Sequence, residues 1–288
     1  MKKMSRIVYV NGKFVPEEEA RVSVFDRGFM FADGVYEVSS VLRGKLIENE
    51  GHMTRLRRSL SELSMPSPAS DDEIEAIQNR LIELNKVDEG LVYLQVTRGA
   101  ADRDFVYPGE SVKPTLVMFT QTKSVIDNPI AETGVSVKTV ADIRWARRDI
   151  KTIGLLAPCM AKMEAKASGF DDAWMVEDGY ITEGSSNNAY IVTKEGTIVT
   201  RQVGNEILNG ITRRAVLALA EKHNYKIEER LFTVEECYDA AEAFITSATM
   251  FVQAVVKIDS AKLNGGKPGK ITQQLRELYI EMALAEVS

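Results

Sequence analysis

Apolar and polar positions in the first third of the chain follow first the period of strands and then that of helices. Residues 6–10 and 13–15 flank Asn11-Gly12, a dipeptide that favours the tight turn of a β-hairpin. A second hairpin, two amphipathic helices and two strands are predicted next, and Ser70 with Glu73 gives the second helix a capping box. These elements are predicted at residues 36–49, 53–63, 74–84, 91–97 and 115–121.

The second half of the chain mixes strands and helices without an internal repeat. Strands are predicted at residues 135–140, 173–177, 189–193, 226–231, 243–246 and 252–258. Helices are predicted at about 155–168, 211–223 and 271–286. Strands interspersed with helices and hairpins favour α+β or mixed α/β domains over a doubly wound parallel sheet.

The length of 288 residues predicts two domains or one large one. With 44% hydrophobic and 27% charged residues, the chain can bury a sizeable core. Apolar periodicity stops over the polar residues 122–129, which are the predicted linker. It separates a small N-terminal α/β domain, residues 1–121, from a larger C-terminal α/β domain, residues 130–288.

Charge and composition exclude several classes of function. A net charge of -6 opposes binding to nucleic acid, and the first apolar run breaks too early for a signal peptide. No stretch approaches the ~18 uninterrupted apolar residues of a membrane span. The 2 cysteines, far apart in sequence, fit a reduced cytoplasmic setting, and 2 histidines leave little material for a metal centre. Glycine-rich nucleotide-binding motifs are absent from the sequence.

Lys151 is the first candidate for covalent chemistry, because it is the last charge before an apolar run. A lysine held among apolar groups and other cations loses proton affinity, and its neutral amine can attack a carbonyl to form a Schiff base. The alternative is an ordinary lysine with a buried stem and a solvated ammonium group. The residues alone leave both interpretations open.

Other segments offer groups that can hold a ring or an anion. Glu183, followed by small polar residues, can face a ring nitrogen, although the segment alone favours a polar loop. Gly210 opens a predicted helix whose N–H groups can bind an anion, unless Asn209 or Thr212 caps them. Residues 246–249 offer further donors or a plain turn. Arg55 either grips a phosphate or is a solvated surface residue.

These segments together resemble the fold-type IV pyridoxal-phosphate enzymes, and most closely the D-amino-acid transaminases of that group. The resemblance runs nearly end to end, and its order and spacing make it specific. It rests on Asp26-Arg27-Gly28, Asp33-Gly34-Val35-Tyr36-Glu37, His52-Met53-Thr54-Arg55-Leu56, Asp142-Ile143-Arg144-Trp145, Asp149-Ile150-Lys151, Thr182-Glu183-Gly184-Ser185-Ser186-Asn187-Asn188, Gly210-Ile211-Thr212-Arg213 and Thr246-Ser247-Ala248.

The resemblance implies an α+β fold of two domains, a homodimer whose site borrows a loop from the second subunit, and a role for each matching residue. Lys151 would hold pyridoxal 5'-phosphate as a Schiff base and move the substrate proton, while Glu183 would face the pyridine nitrogen. Tyr36 would lie near the Schiff base and the substrate carboxylate. The phosphate would be bound by Arg55, the Ile211 and Thr212 amides, Ser247 and Ala248.

Two residues depart from the pattern of the D-amino-acid enzymes. Their substrate loop supplies an arginine, matched here by Arg103, and a histidine, replaced here by Phe105. Ala248 stands where a hydroxyl residue is expected, which leaves its backbone amide as the donor. The departures leave the transamination residues intact and affect the substrate end.

The implied activity is a transamination between a D-amino acid, typified by D-alanine, and a 2-oxo acid such as pyruvate or 2-oxoglutarate. The alternatives are an R-selective amine transaminase, which the missing histidine favours, a branched-chain L-amino-acid transaminase and an aminodeoxychorismate lyase. A noncatalytic ligand-binding homologue is the non-enzyme alternative, and the presence of both Lys151 and Glu183 opposes it.

Overall fold

The structure of this protein is a computed structural model that describes residues 5–288. The first four residues of the domain predicted for residues 1–121 lie outside the described residues. The chain forms two compact units. The first contains the residues up to Ser124 together with Ile150–Gly154 and Glu286–Ser288, and the second contains Val125–Asp149 and Leu155–Ala285. Within residues 5–288, no helix combines the length and apolar character needed to cross a bilayer.

The first unit is a six-stranded antiparallel sheet with helices packed on it. Its elements are β1 (Ile7–Val10), β2 (Lys13–Pro16), α1 (Arg27–Phe31), β3 (Gly34–Leu42), β4 (Lys45–Leu46), α2 (Asn49–Glu62), α3 (Asp71–Asn85), β5 (Gly90–Thr97) and β6 (Thr115–Thr122). The strand order is β2-β1-β6-β5-β3-β4. The Ser70–Glu73 capping box forms as predicted, and Leu56, Ile74 and Leu94 join α2, α3 and the sheet in one core.

The second unit is built on a nine-stranded mixed sheet. Its elements are α4 (Pro129–Thr133), β7 (Val135–Ala141), α5 (Leu156–Ala167), β8 (Asp172–Glu177), β9 (Tyr180–Gly184), β10 (Asn188–Val192), β11 (Ile198–Thr200), α6 (Ile211–Lys222), β12 (Ile227–Glu229), α7 (Val234–Asp239), β13 (Glu242–Ser247), β14 (Phe251–Ile258), β15 (Ala261–Lys262) and α8 (Lys270–Glu286). The order is β12-β11-β10-β13-β14-β7-β8-β9, with β15 paired to β14. Trp174, Phe232 and Ile245 lie in its core. The predicted α+β class is confirmed.

The short segment that carries Lys151 belongs to the first unit, whereas the sequence placed it in the domain of residues 130–288. Backbone hydrogen bonds give the reason. The N–H of Tyr36 donates to the carbonyl of Lys151 at 3.0 Å, and the N–H of Ile153 donates to the carbonyl of Gly34 at 3.1 Å. The segment therefore pairs with β3.

The predicted linker, residues 122–129, differs slightly from the observed boundaries. Thr122 ends β6 and Pro129 begins α4. Between them, the Arg276 guanidinium of α8 donates to the carbonyls of Val125 and Ile126 at 2.9 and 3.0 Å. The segment is thus held by a cation that hydrogen-bonds its backbone.

Gly34 is a position where the backbone of β3 needs the absence of a side chain. A Cβ atom there would lie 2.7 Å from the carbonyl oxygen of Val96 and 3.0 Å from Cδ1 of Ile153. We expect Gly34→Ala to lower the free energy of unfolding by about 1–3 kcal/mol through overpacking, as measured by urea denaturation. Gly109→Ala is the control, because nothing lies within 4 Å of the added methyl group. Equal effects of the two substitutions would contradict the expectation.

Candidate active site

Lys151 and Tyr36, both predicted site residues, lie against each other in the first unit. The Lys151 ammonium nitrogen is 4.1 Å from the centroid of the Tyr36 ring. That ring stacks on Tyr93 with 5.6 Å between centroids. Lys151 is half-buried, and its backbone N–H donates to Ser59 Oγ at 3.4 Å. The predicted amine is therefore positioned by the backbone and by an aromatic face.

Arg55 forms a buried ion pair, so the alternative of a solvated surface residue is wrong. Its Nε and Nη2 donate to the two carboxylate oxygens of Glu37 at 2.8 and 2.7 Å. His52 Nδ1 lies 2.7 Å from the same carboxylate. The Glu37 side chain is 1% exposed and that of Arg55 is 10% exposed. This geometry fixes the plane of the Arg55 guanidinium.

The Glu37 carboxylate stays ionised despite its burial. Burial alone opposes the charged form, but the charge and hydrogen bonds of Arg55 and then His52 lower the pKa of Glu37 to about 2. Burial also lowers the pKa of His52 and so favours its neutral form. Neutral His52 then donates from Nδ1 to the carboxylate. Glu37 and His52 belong to the motifs that carry the family resemblance, but the resemblance gave neither of them a role.

Arg103, the predicted substrate arginine, is exposed on the loop that follows β5. In the described part of the chain its contacts are with two aromatic rings, those of Phe31 and Phe105, each centroid 5.4 Å from the guanidinium carbon. Phe105 itself is 77% exposed. The structure therefore gives Arg103 a stacking contact and does not bring it against Tyr36 or Lys151.

Glu183 lies in the second unit, near the end of β9, where a polar loop was favoured from the segment alone. A loop forms only at residues 185–187, because Tyr180–Gly184 pairs with β8 and places Glu183 itself in a strand. The Glu183 carboxylate accepts hydrogen bonds from Arg144 Nη1, from Asn188 Nδ2 at 3.1 Å and from the Leu208 N–H at 3.2 Å. Its burial raises the pKa of Glu183, and the Arg144 charge opposes the rise.

Gly210 caps helix α6 without a side chain, so the alternative of capping by Asn209 or Thr212 is wrong. Ile211 and Thr212, the first two residues of α6, are buried. A Cβ at Gly210 would lie 2.2 Å from Asn188 Oδ1. The first-turn N–H groups have no intrahelical partner and attract an anion.

Ser247 and Ala248 lie where β13 turns into β14, both half-buried. Behind them, Tyr190 hydrogen-bonds Thr246 Oγ1 at 3.0 Å, and Arg276 supports the turn through the Met250 carbonyl at 2.8 Å. On α6, Arg213 is buried and pairs with Glu229, and Arg214 is exposed.

The residues present fit pyridoxal phosphate. Helix α6 begins after Gly210, and its free N–H groups suit a phosphate. The buried carboxylate of Glu183 suits a pyridinium nitrogen. The sequence profile of the class IV amino-transferases matches residues 34–258. The chain belongs to this family. It is accordingly a pyridoxal-phosphate-dependent aminotransferase, which confirms the predicted family, cofactor and enzyme class.

The similarity to known class IV aminotransferases covers nearly the whole chain. This chain is 39% identical over 279 residues to the D-alanine aminotransferase of Staphylococcus aureus (strain MSSA476). The match covers 95% of this chain and 98% of that one. Identity to the D-alanine aminotransferase of Bacillus licheniformis is 37% over 283 residues, 98% of each chain. The branched-chain aminotransferase of the archaeon Thermoproteus uzoniensis, solved with norvaline, superposes with a TM-score of 0.88 at 26% identity, covering 98% and 95%.

The burial of Glu37 makes its ion pair testable by stability alone. We expect Glu37→Gln to lower the free energy of unfolding by about 3–5 kcal/mol, because it leaves a buried arginine without its counter-charge. Glu83→Gln is the control, since the Arg80–Glu83 pair is exposed and such pairs contribute about 0–1 kcal/mol. Urea denaturation at neutral pH measures both, and a loss at Glu37 no larger than at Glu83 would sink the expectation.

Proposed function

We propose that this class IV aminotransferase moves an amino group between a D-amino acid, with D-alanine the typical donor, and a 2-oxo acid such as pyruvate or 2-oxoglutarate. The observation that carries the proposal is the 39% identity over 95% of the chain with a D-alanine aminotransferase. The branched-chain enzyme of Thermoproteus uzoniensis supports a branched-chain alternative, but its identity is lower, at 26%.

Lys151 would hold the cofactor through its side-chain amine and, with substrate bound, would carry the proton taken from the substrate Cα. Bound pyridoxal phosphate supplies an electron sink for the negative charge that develops there. Tyr36 supports both tasks, because its ring holds the Lys151 amine at 4.1 Å and orients it. Tyr36 lies on β3 and Lys151 on the segment that pairs with β3, so main-chain hydrogen bonds fix their spacing.

Glu183 is the partner of the pyridine nitrogen. Its burial and its three donors leave the carboxylate little freedom to rotate. In the proposed site the phosphate would be held by Arg55, the N–H groups of Ile211 and Thr212, the Ser247 hydroxyl and the Ala248 amide. These groups combine one guanidinium charge with neutral donors, as phosphate sites at helix starts commonly do.

Tyr36 and Arg103 bind the substrate carboxylate in this proposal. The Phe105 ring, in place of the expected histidine, removes one donor and adds apolar area beside Arg103. This feature favours the second candidate function, an R-selective amine transaminase whose donor lacks a carboxylate.

The proposal includes a cytoplasmic homodimer. Large exposed apolar side chains cluster in the first unit around one loop and one short helix, and such surfaces mark protein interfaces. They include Phe25, Phe29, Phe105 and Val106, with 53%, 78%, 77% and 72% exposure. Both cysteines are free thiols, which fits a reducing compartment.

Lys151→Ala tests the covalent role. We expect wild-type protein loaded with pyridoxal phosphate to absorb in the visible range, and borohydride to fix the cofactor to Lys151 in a tryptic peptide. The variant is expected to bind the cofactor without a covalent bond and to fail to convert D-alanine in single turnover. Lys166→Ala is the control, because Lys166 is an exposed lysine of the second unit whose ion pair with Asp171 is exposed on both sides. Labelling of another lysine would refute the assignment.

Single-turnover reactions with three donors separate the candidate substrates. D-alanine, L-leucine and (R)-1-phenylethylamine are mixed with one preparation of holoenzyme, and loss of the visible band gives each rate. We expect D-alanine to react at least about 100-fold faster than the other two, a ratio that recognition of the correct carboxylate and configuration can supply. Faster reaction of the amine would establish the second candidate instead, and faster reaction of L-leucine the branched-chain alternative.

A further inference from the structure

Arg144 joins two buried carboxylates on the face of the second unit that carries Glu183. Its Nη1 donates to Glu183 Oε1, while its Nε and Nη2 donate to the two oxygens of Asp142 at 3.0 and 2.7 Å. The side chains of Arg144, Asp142 and Glu183 are 11%, 0% and 6% exposed. Thr182 Oγ1 adds a hydrogen bond to Asp142 at 2.7 Å. Asp142 therefore fixes the position of the Arg144 guanidinium, and Asp142 is not itself a proposed cofactor ligand.

A carboxylate that faces a pyridine nitrogen shares one proton with it, and the proton rests on the more basic of the two atoms. Burial makes a carboxylate more basic, because the charged form loses its water. A fixed cation beside it makes it less basic. Burial raises the pKa of Glu183, and the charge of Arg144 is the largest of the effects that lower it. The position of the proton therefore depends on Arg144.

We propose that Arg144 is a positioning residue that holds Glu183 as an anion and thereby keeps the shared proton on the pyridine nitrogen of the cofactor. The inference rests on the proposed role of Glu183 and assigns the origin of its charge. Without Arg144 the proton moves to a Glu183 oxygen, and both groups become neutral. The ring then withdraws electrons less strongly, although every cofactor contact of Glu183 is retained.

Arg148 provides a matched comparison within the same cluster. Its side chain is 4% exposed, it pairs with Glu177, and it lies 3.7 Å from Asp142. Among the described residues its ion pairs do not include Glu183. Removal of Arg148 therefore deletes an equally buried cation from the same network while the Glu183 contacts remain.

The experiment measures the proton directly. Holoenzyme is prepared with pyridoxal phosphate labelled with 15N in the ring, and the 15N chemical shift reports whether the nitrogen is protonated. The proteins are wild type, Arg144→Gln, Arg144→Lys and Arg148→Gln. A double variant, Asp142→Asn with Arg144→Met, removes both charges of the pair and so avoids an orphaned carboxylate if the single variant fails to fold.

We expect a protonated nitrogen in wild type and Arg148→Gln, a shift toward free pyridine in Arg144→Gln and in the double variant, and recovery in Arg144→Lys. Turnover of D-alanine with 2-oxoglutarate is expected to fall about 100-fold in Arg144→Gln, as for loss of one preorganised electrostatic group. An unprotonated nitrogen in wild type would overturn the proposed role of Glu183 itself. A protonated nitrogen in wild type, Arg144→Gln and the double variant would overturn only the inference about Arg144.

Discussion

A buried carboxylate keeps its charge when cations and hydrogen-bond donors are fixed beside it, and this constraint applies in both units. Glu37 receives two hydrogen bonds from one arginine and one from His52, and its pKa falls to about 2. Glu183 shares its arginine with Asp142, whose own charge repels it, and its pKa rises with burial. Glu37 is therefore held as an anion, whereas burial raises the pKa of Glu183 and makes it the more basic of the two carboxylates. The arrangement at Glu37 suits a residue that only holds an arginine. The arrangement at Glu183 suits a residue that shares a proton, as proposed.

A second constraint is the absence of a side chain at Gly34 and Gly210. At each of these positions a neighbouring group of the site occupies the space that a Cβ atom would need. At Gly34 the Lys151 segment and β5 leave no space for a Cβ, and at Gly210 the Asn188 amide occupies that space. Asn188 also donates to Glu183 at 3.1 Å and to the Leu208 carbonyl at 2.8 Å. The start of α6 and the Glu183 carboxylate are thus linked through one amide. A change at Gly210 therefore alters the surroundings of Glu183 as well as the helix start.

The sequence predicts the regular elements well where the local pattern decides them. The Asn11-Gly12 hairpin and the Ser70–Glu73 capping box depend on neighbouring residues, and both form. Strand β9 was missed because its second half, Thr182-Glu183-Gly184, continues no apolar pattern and becomes a strand by pairing with β8. The residue types of the candidate site were identified through a family resemblance, but their ionic partners were not. Arg144 and Glu183 are 39 positions apart, and no periodicity links residues at that separation.

Substrate choice is the property of this aminotransferase that its sequence predicts least, because it depends on how Arg103 is oriented. The proposed substrate arginine, Arg103, is exposed and contacts two rings, and no buried carboxylate of the described residues fixes its guanidinium as Glu37 fixes that of Arg55. A guanidinium held in this way is free to change direction, because stacking on aromatic rings gives it little orientation. In the proposed homodimer this loop faces a second subunit, so its final geometry depends on contacts that one chain does not contain. In this proposal the residues of the chemical step find their ionic partners within their own units, whereas recognition of the donor would depend on assembly.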